Sequence, residues 1–441
     1  MNSDWPLIKI DDLKAKNKGA LAIGPFGSRM KSDCYVNSGI PVIRGTNLSS
    51  GPTFVGDFVY ITREKADELR SCNVYKNDLV FPHRGSIGEV GIIQADERYV
   101  LSSSMMKLSC DTDKVNPEFL YYFFKSRLGK HELLKNASQV GTPGIGQPLT
   151  SLKAIELRLP PLYVQNYVAE TLSSINKKID ANNSLNNTLE EMARAIFKSW
   201  FVDFDPVKAK MNGQQPVGMD EATAALFPEK LVESELGLIP EGWKLNTLSN
   251  LIQLTGGGTP KRSEETYWNG SIPWFSVKDV PSGSNVFVVD TEERITELGL
   301  QKSSTKLLPK GTTIITARGT VGKLALIGSD MCMNQSCYGI RGKDVGDYFN
   351  YFNLKEAVST LQQNTHGAVF DTITTKTFDT YTIAFSGIEL ANKFDVIVSP
   401  FLQKIESNVR ENIELSILRD TLLPKLLSGE VKLDTMEISG E

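Results

Sequence analysis

A chain of 441 residues is too long for one ordinary hydrophobic core, so two or three domains are expected. Its 40% apolar and 23% charged residues match a soluble globular protein, and a net charge of −4 argues against a chain that wraps nucleic acid unaided. The five cysteines (Cys34, Cys72, Cys110, Cys332, Cys337) contain no CxxC and stand beside only three histidines, which disfavours a disulfide framework or a zinc site and fits buried thiols in a reducing cytoplasm. No signal-peptide core opens the sequence, and no apolar run reaches membrane-spanning length.

The first predicted domain covers residues 1–160. It starts with "DWPLIKIDDL", passes through a basic Gly/Ser loop, "GPFGSRMKSD", and a strand-like "GIPVIRGTNL", then runs into a glycine turn, "KNDLVFPHRGSIG". A helix is expected near Pro117–Lys130, and "LKAIELRLPP" closes the domain with apolar alternation. A long helix follows over 161–204, with apolar or small residues at 168, 172, 175, 179, 189, 193, 196 and 200, the four-three spacing of a coiled-coil seam. Residues 205–240 read as an irregular linker.

Then the chain repeats. In the second domain, residues 241–387, "EGWKLNTLSN" resembles the start, "GGGTPKRSEE" the basic loop, "SIPWFSVKDV" the strand and "PKGTTIITARGTVG" the glycine turn. The two turns, "RGSIGEV" from Arg84 and "RGTVGKL" from Arg318, lie 234 positions apart. "FDTYTIAFSG" answers "LKAIELRLPP", and a second long helix over 388–429 repeats the seam at an offset of 226, before a tail at 430–441. Two polar seam positions, Asn182 and Asn186, recur as Asn408 and Asn412. Pro424 should kink or stop the second helix. The net charge is +4 over 1–160, zero over 241–387 and −4 in each helical segment, 161–240 and 388–441.

The expected fold is therefore α+β: two mixed domains with short strands, separated by two long helices that form an antiparallel coiled coil. In such a pair Asn182 would lie near Asn412 and Asn186 near Asn408, and buried polar seam residues can fix register.

Catalytic motifs are absent. "ARGTVGKL" has Ala317 and Leu324 where a phosphate loop needs glycine and Ser/Thr. No methyl-donor motif is visible, and His83, His131 and His366 lack metal-ligand spacing. Asp203 and Asp205 in "FVDFDP" read as turn or helix-end carboxylates. No catalytic residue, metal site or cofactor is assigned to this chain.

Two diverged copies on a rod suit the reading of two different short patterns at a fixed separation. About 35 seam residues at ~1.5 Å each give a rod of ~50 Å, roughly one to one and a half turns of B-DNA at ~34–36 Å per turn. Candidate DNA contacts in the first copy are Ser28, Arg29, Lys31, Arg44, Thr46, Asn47, Arg84 and Ser86. Their counterparts in the second are Thr259, Lys261, Arg262, Ser276, Lys278, Arg318 and Thr320. A DNA-free coiled-coil adaptor with two protein-binding modules is the alternative of a different class.

"KSWFVDFDPV", "LGLIPEGWK" and "LRDTLLPKLLSGEV", together with the duplicated architecture, resemble the specificity subunit of type I restriction–modification systems over essentially the whole chain. The resemblance implies a non-catalytic, cytoplasmic subunit with two target-recognition domains that reads a bipartite site in double-stranded DNA. It implies modification (methyltransferase) subunits and restriction (translocase–nuclease) subunits as partners, which would carry S-adenosylmethionine, ATP and magnesium. The recognition subunit of a related fused restriction–methylation system stays open. Helix and linker motifs, including Trp200, Phe201, Asp203, Phe204, Asp205 and Pro206, carry over by position; base-reading residues do not.

Overall fold

The strand Leu79–Pro82 shows how the first half of the repeat is built. In this computed structural model, which describes residues 4–49, 51–138, 141–281, 285–364 and 372–431, that strand is buried along its whole length. Leu79 and Phe81 face one apolar cluster and Val80 another, so a continuous apolar run serves two cores at once. The strand is central in an antiparallel sheet, ordered Leu21–Ile23, Met105–Leu108, Leu79–Pro82, Gly91–Ile92. A second sheet, with Ile40–Ile43 parallel to Tyr99–Leu101, packs on the Val80 side. On the other side lies the helix Pro117–Lys125, started by Asn116, whose side-chain oxygen accepts the Glu118 and Phe119 N–H groups at 2.8 and 3.2 Å. Antiparallel pairing of Leu7–Lys9 with Glu156–Arg158 clasps the two ends of this domain.

The chain forms two compact units: residues up to Ile179 together with those from Glu414, and residues Asp180–Ile413. Both boundaries fall inside the long helices, which run over Leu162–Phe201 and Ile388–Ser428. In the first unit the core takes Val164, Val168, Ala169 and Leu172 from the first helix and Leu426 and Leu427 from the second. Asn176 donates to the Tyr122 hydroxyl at 2.9 Å and accepts from Arg419 at 3.1 Å.

The second unit repeats the plan. A five-stranded sheet is ordered Ile252–Gly256, Cys337–Gly342, Thr313–Thr316, Leu324–Ile327, Phe287–Val288, and Lys244–Thr247 clasps Thr382–Phe385. Its core takes Phe394, Val398 and Leu402 from the second helix and Phe197 and Trp200 from the first. The first three are Val168, Leu172 and Asn176 displaced by 226, so the same helix faces are buried in both units. The helix Asp347–Asn364 matches Pro117–Lys125 at an offset of 230; Lys125 lies over the Tyr121 ring and Lys355 over the Tyr351 ring, each at 5.8 Å.

Within the second unit the two long helices touch through amides. Asn182 donates to Asn412 and to Glu411, each at 2.9 Å, and Asn408 donates to Asn186 at 2.8 Å. Numbering falls on one helix as it rises on the other, so they run antiparallel. All three of Asn182, Asn186 and Asn408 are buried.

Two sequence expectations are corrected. The second helix does not stop at Pro424 but continues to Ser428. Proline removes the bond to the Asp420 carbonyl, but both residues face solvent, which can hydrate it, while Leu426 and Leu427 anchor the last turn in the core. The stretch 205–240 is not irregular. It holds the helices Asp205–Met211 and Glu221–Ala225 and a hairpin pairing Leu231–Ser234 with Gly237–Pro240, closed by Gly237 at φ +85°.

The helix Asp347–Asn364 begins without a cap of its own: Asp395 on the second long helix accepts the Tyr348 and Phe349 N–H groups at 3.2 and 2.6 Å. Burial pushes the Asp395 carboxyl up from an ordinary 3.8 to about 6. The folded chain then binds this proton more tightly than the unfolded one, so the group's contribution to stability is greatest below about 3.8 and is lost as pH rises through about 6. Asp395→Ala should therefore cost more at pH 5 than at pH 7.5, by about 1 kcal/mol, read from urea unfolding at the two pH values. An equal cost at both would contradict the assignment.

The asparagine pair gives a second expectation. Asn186→Leu alone leaves a buried Asn408 amide without its acceptor and should cost about 1–3 kcal/mol. The Asn186→Leu/Asn408→Leu double variant should return close to the parent stability, because both polar groups leave together. A double-mutant cycle in urea checks this, and additive losses would be the failing result.

Candidate nucleic-acid interface

In the first unit three loops meet on the segment Ser102–Ser104. Ser102 N–H donates to the Ile43 carbonyl at 2.9 Å, next to Arg44; His83 N–H donates to Ser104 at 2.9 Å, next to Arg84. Gly24 N–H donates to Met105 at 2.8 Å, and a Cβ at Gly24 would stand 1.8 Å from the Ser102 oxygen. Only glycine lets this loop approach so closely. The His83 ring nitrogen lies 3.1 Å from the Ser103 carbonyl, to which a ring N–H can donate, and burial pushes the imidazole pKa down. Gly85 N–H donates to Pro143 and Ile145 N–H to His83, both at 2.9 Å, bracing the Arg84 turn from behind.

Asn334–Ser336 is the same hub in the second unit. Asn334 N–H donates to Phe275 at 2.9 Å, Ala317 N–H to Ser336 at 2.8 Å, and Gly258 N–H to Met333 at 2.9 Å. A Cβ at Gly257 would lie 1.9 Å from the Asn334 oxygen. The basic glycine loop is also clamped by two indoles: Trp274 Nε1 donates to Gly258 at 3.0 Å and Trp268 Nε1 to Lys261 at 3.3 Å. Between them Arg262 stacks at 4.0 and 4.9 Å from the two tryptophans and forms a two-pronged pair with Glu293.

The sequence-derived candidates divide accordingly. Arg29, Lys31, Thr46, Arg84 and Ser86 are exposed around the first hub; Lys261, Lys278, Arg318 and Thr320 are exposed around the second. Arg29 reaches the Glu68 carbonyl at 3.4 Å, and Lys278 lies 3.7 Å from Glu292. Ser86 sits against Gly45, which joins the Arg84 turn to the Arg44 loop. Others face inward. Asn47 is only 1% exposed; its amide donates to Val55 and Asp57 and accepts from Arg44, so it holds its loop closed. Arg44 is half-buried and donates to Asp57 at 2.6 Å. Ser276 forms a capping box with Asp279, and Arg262 is held as above. Thr259, half-buried, donates to the Gln335 side-chain oxygen. The Ser28 side chain lies outside the described residues.

Sequence reasoning did not find the hubs. Ser103 and Gln335 occupy their exposed centres, yet "SSS" and "NQS" share almost no letters. The available signal was positional: each lies just past the second strand after the glycine turn, Tyr99–Leu101 in one unit and Cys332–Met333 in the other, 232 residues apart.

Elsewhere the chemistry is quiet. All five cysteines are free, and burial pushes the Cys332 and Cys337 thiols up to about 11 and about 12, away from reactive thiolate. Among the described residues no cluster of three His, Cys, Asp or Glu side chains could hold a metal ion, and no helix is long and apolar enough to cross a membrane.

Residues 2–191 and 240–415 match the family model for the type I restriction modification DNA specificity domain. The HindI specificity subunit of Haemophilus influenzae is 27% identical over 81% of this chain and 87% of that relative. The MjaIX specificity subunit of Methanocaldococcus jannaschii is 26% identical over 98% and 95%. Among solved structures, the specificity subunit of a type I restriction–modification system from M. genitalium superposes with a TM-score of 0.56 at 18% identity, covering 97% of both chains, and shares the fold.

The close glycine approaches are directly testable. Gly24→Ala and Gly257→Ala each drive a methyl into a hub carbonyl and should cost about 1–3 kcal/mol by urea unfolding. Gly256→Ala, with open space around it, should change stability by less than about 0.5 kcal/mol. Equal effects at Gly256 and Gly257 would show that the hub does not constrain the loop.

Proposed function

The chain belongs to the type I restriction modification DNA specificity family, and from that premise we propose that each unit reads one half of a bipartite duplex site with the loops gathered at its hub. The observation that carries this reading is the repeated hub: in both units two equivalent backbone hydrogen bonds and one close glycine approach join the same three loops, while the side chains turned outward differ. A common frame with different outward chemistry is what two readers of two different sequences require.

The roles divide by chemistry. Arg29, Lys31 and Arg84 in one unit and Lys261, Lys278 and Arg318 in the other are long exposed cations suited to phosphate oxygens. Short polar groups at the hubs are suited to base edges. Asn47, Arg262 and Ser276 position loops and touch no base. The long helices and their acidic surplus take the protein partners, and a polar seam of paired asparagines keeps the helices in register. The reaction belongs to those partners: methyltransferase subunits that use S-adenosylmethionine, and restriction subunits that use ATP and magnesium. The chain itself supplies specificity, acting in the cytoplasm where the DNA lies.

The test is domain exchange. This chain alone is expected to transfer no methyl group, whereas its complex with cognate methyltransferase subunits and methyl donor should methylate adenine within one bipartite sequence. Replacing residues 1–160 with the first domain of another family member should change one half-site and leave the other as it was. Methylation mapping on random duplex DNA reads both results. A simultaneous change in both half-sites, or methyl transfer by the purified chain, would overturn the reading.

A further inference from the structure

Reading adenine by its major-groove edge needs a donor and an acceptor held side by side, and few outward groups in the second unit meet that need. Lys261, Lys278 and Arg318 carry donors only, on long flexible stems. Thr320 presents one hydroxyl. Gln335 is different. Its backbone is fastened on both sides, by Asn334 N–H on the Phe275 carbonyl and by Ala317 N–H on the Ser336 carbonyl. Its side chain is exposed at the point where the three loops meet, and the Thr259 hydroxyl donates to its Oε1.

That last contact sets the amide's orientation. With Thr259 on one lone pair, Oε1 keeps a second lone pair and Nε2 keeps both hydrogens, so the exposed edge offers one acceptor beside one donor. Thr259 is itself held, because the loop bearing it is clamped by Trp268 and Trp274 and pressed onto Asn334 through Gly257. The amide is thus organised before any ligand arrives.

Resting on the DNA-reading function proposed above, we propose that Gln335 is a specificity-determining residue that reads an adenine in the half-site bound by the second unit. Oε1 accepts from adenine N6–H and Nε2 donates to N7, a pairing that only adenine offers in the major groove. Thr259 is a positioning residue that acts through Gln335 and touches no base. The equivalent exposed position in the first unit is Ser103, whose single hydroxyl can serve more than one base. The two half-sites therefore differ in stringency at their hub positions, with the second unit the stricter.

The experiment uses the full chain in complex with its methyltransferase subunits, on a pool of duplexes randomised across the methylated motif. For the parent, one half-site should require an A·T pair at one position. Gln335→Ala should lower the preference at that position alone by about 5- to 150-fold. Gln335→Glu, which accepts but does not donate, should move the preference there toward cytosine. Thr259→Val should give a smaller loss at the same position. Gln335→Ser, which copies the first unit, should leave the position degenerate while methylation elsewhere in the motif persists, and so separates lost reading from lost folding. Unchanged preference in Gln335→Ala, or a uniform loss across all positions, would overturn the assignment while leaving a bipartite reader intact. If the parent complex selects no bipartite motif, the DNA-reading function itself fails, and this inference with it.

Discussion

Neither sheet assembly closes a core without the long helices, and the rest of the structure depends on that constraint. The first unit needs Val168 and Leu172 from one helix and Leu426 and Leu427 from the other; the second needs Phe394 and Val398, with Phe197 and Trp200. The helices are therefore core elements as much as connectors. A rotation of either helix would expose apolar side chains worth about 1.5–3 kcal/mol each when buried. This binds the seam more tightly than amide pairing alone, and it explains why the buried faces repeat at the offset of 226 while exposed faces drift. Divergence inside the cores comes in matched pairs. Asn176 with the Tyr122 hydroxyl in one unit corresponds to Leu402 with Phe352 in the other. A change on one side only would leave a buried amide or hydroxyl without a partner.

The hubs follow the same logic with backbone in place of side chains. Ser102–Ser104 and Asn334–Ser336 hold their loops through peptide N–H and C=O groups, which every residue except proline possesses. Side-chain identity is fixed where a Cβ has no room, as at Gly24, Gly257 and Gly258. The exposed centre of each hub is thus left free to differ, as Ser103 and Gln335 do, without disturbing the frame. A protein that must present new surface chemistry on an unchanged fold gains from that separation.

The same distinction explains what the sequence reveals. The repeat, the helices and the amide seam were legible because they rest on apolar periodicity and a constant offset, and Asn182 with Asn412 could be paired from numbering alone. The hubs were not, because backbone bonding leaves no mark in the letters. Asn47 looked like a surface contact because its partners are loop-borne, the carbonyls of Val55 and Asp57; Arg262 is exposed, but its pairing with Glu293, 31 residues further on, was not legible. The hairpin at Leu231–Pro240 was hidden by short strands, and at Pro424 the local rule that allows a stop is overridden by packing of the last turn within the helix expected over 388–429.

Charge completes the picture. Near each hub the three exposed cations assigned to phosphate, with Arg262 set aside by its pairing with Glu293, could neutralise about three phosphates per half-site, and each phosphate contributes roughly −0.9 to the salt slope of binding. That is modest beside the six to ten phosphate contacts of a strong binder that stands alone. Weak general attraction favours a reader: the smaller the sequence-independent term, the larger the share of total affinity decided by base contacts such as an oriented amide. On the proposed function it would also leave the chain dependent on partner subunits for grip. On the proposed reading the net charge of −4 is compatible with DNA recognition, since discrimination would be housed in this chain and most of the phosphate attraction in the proteins that would bind it.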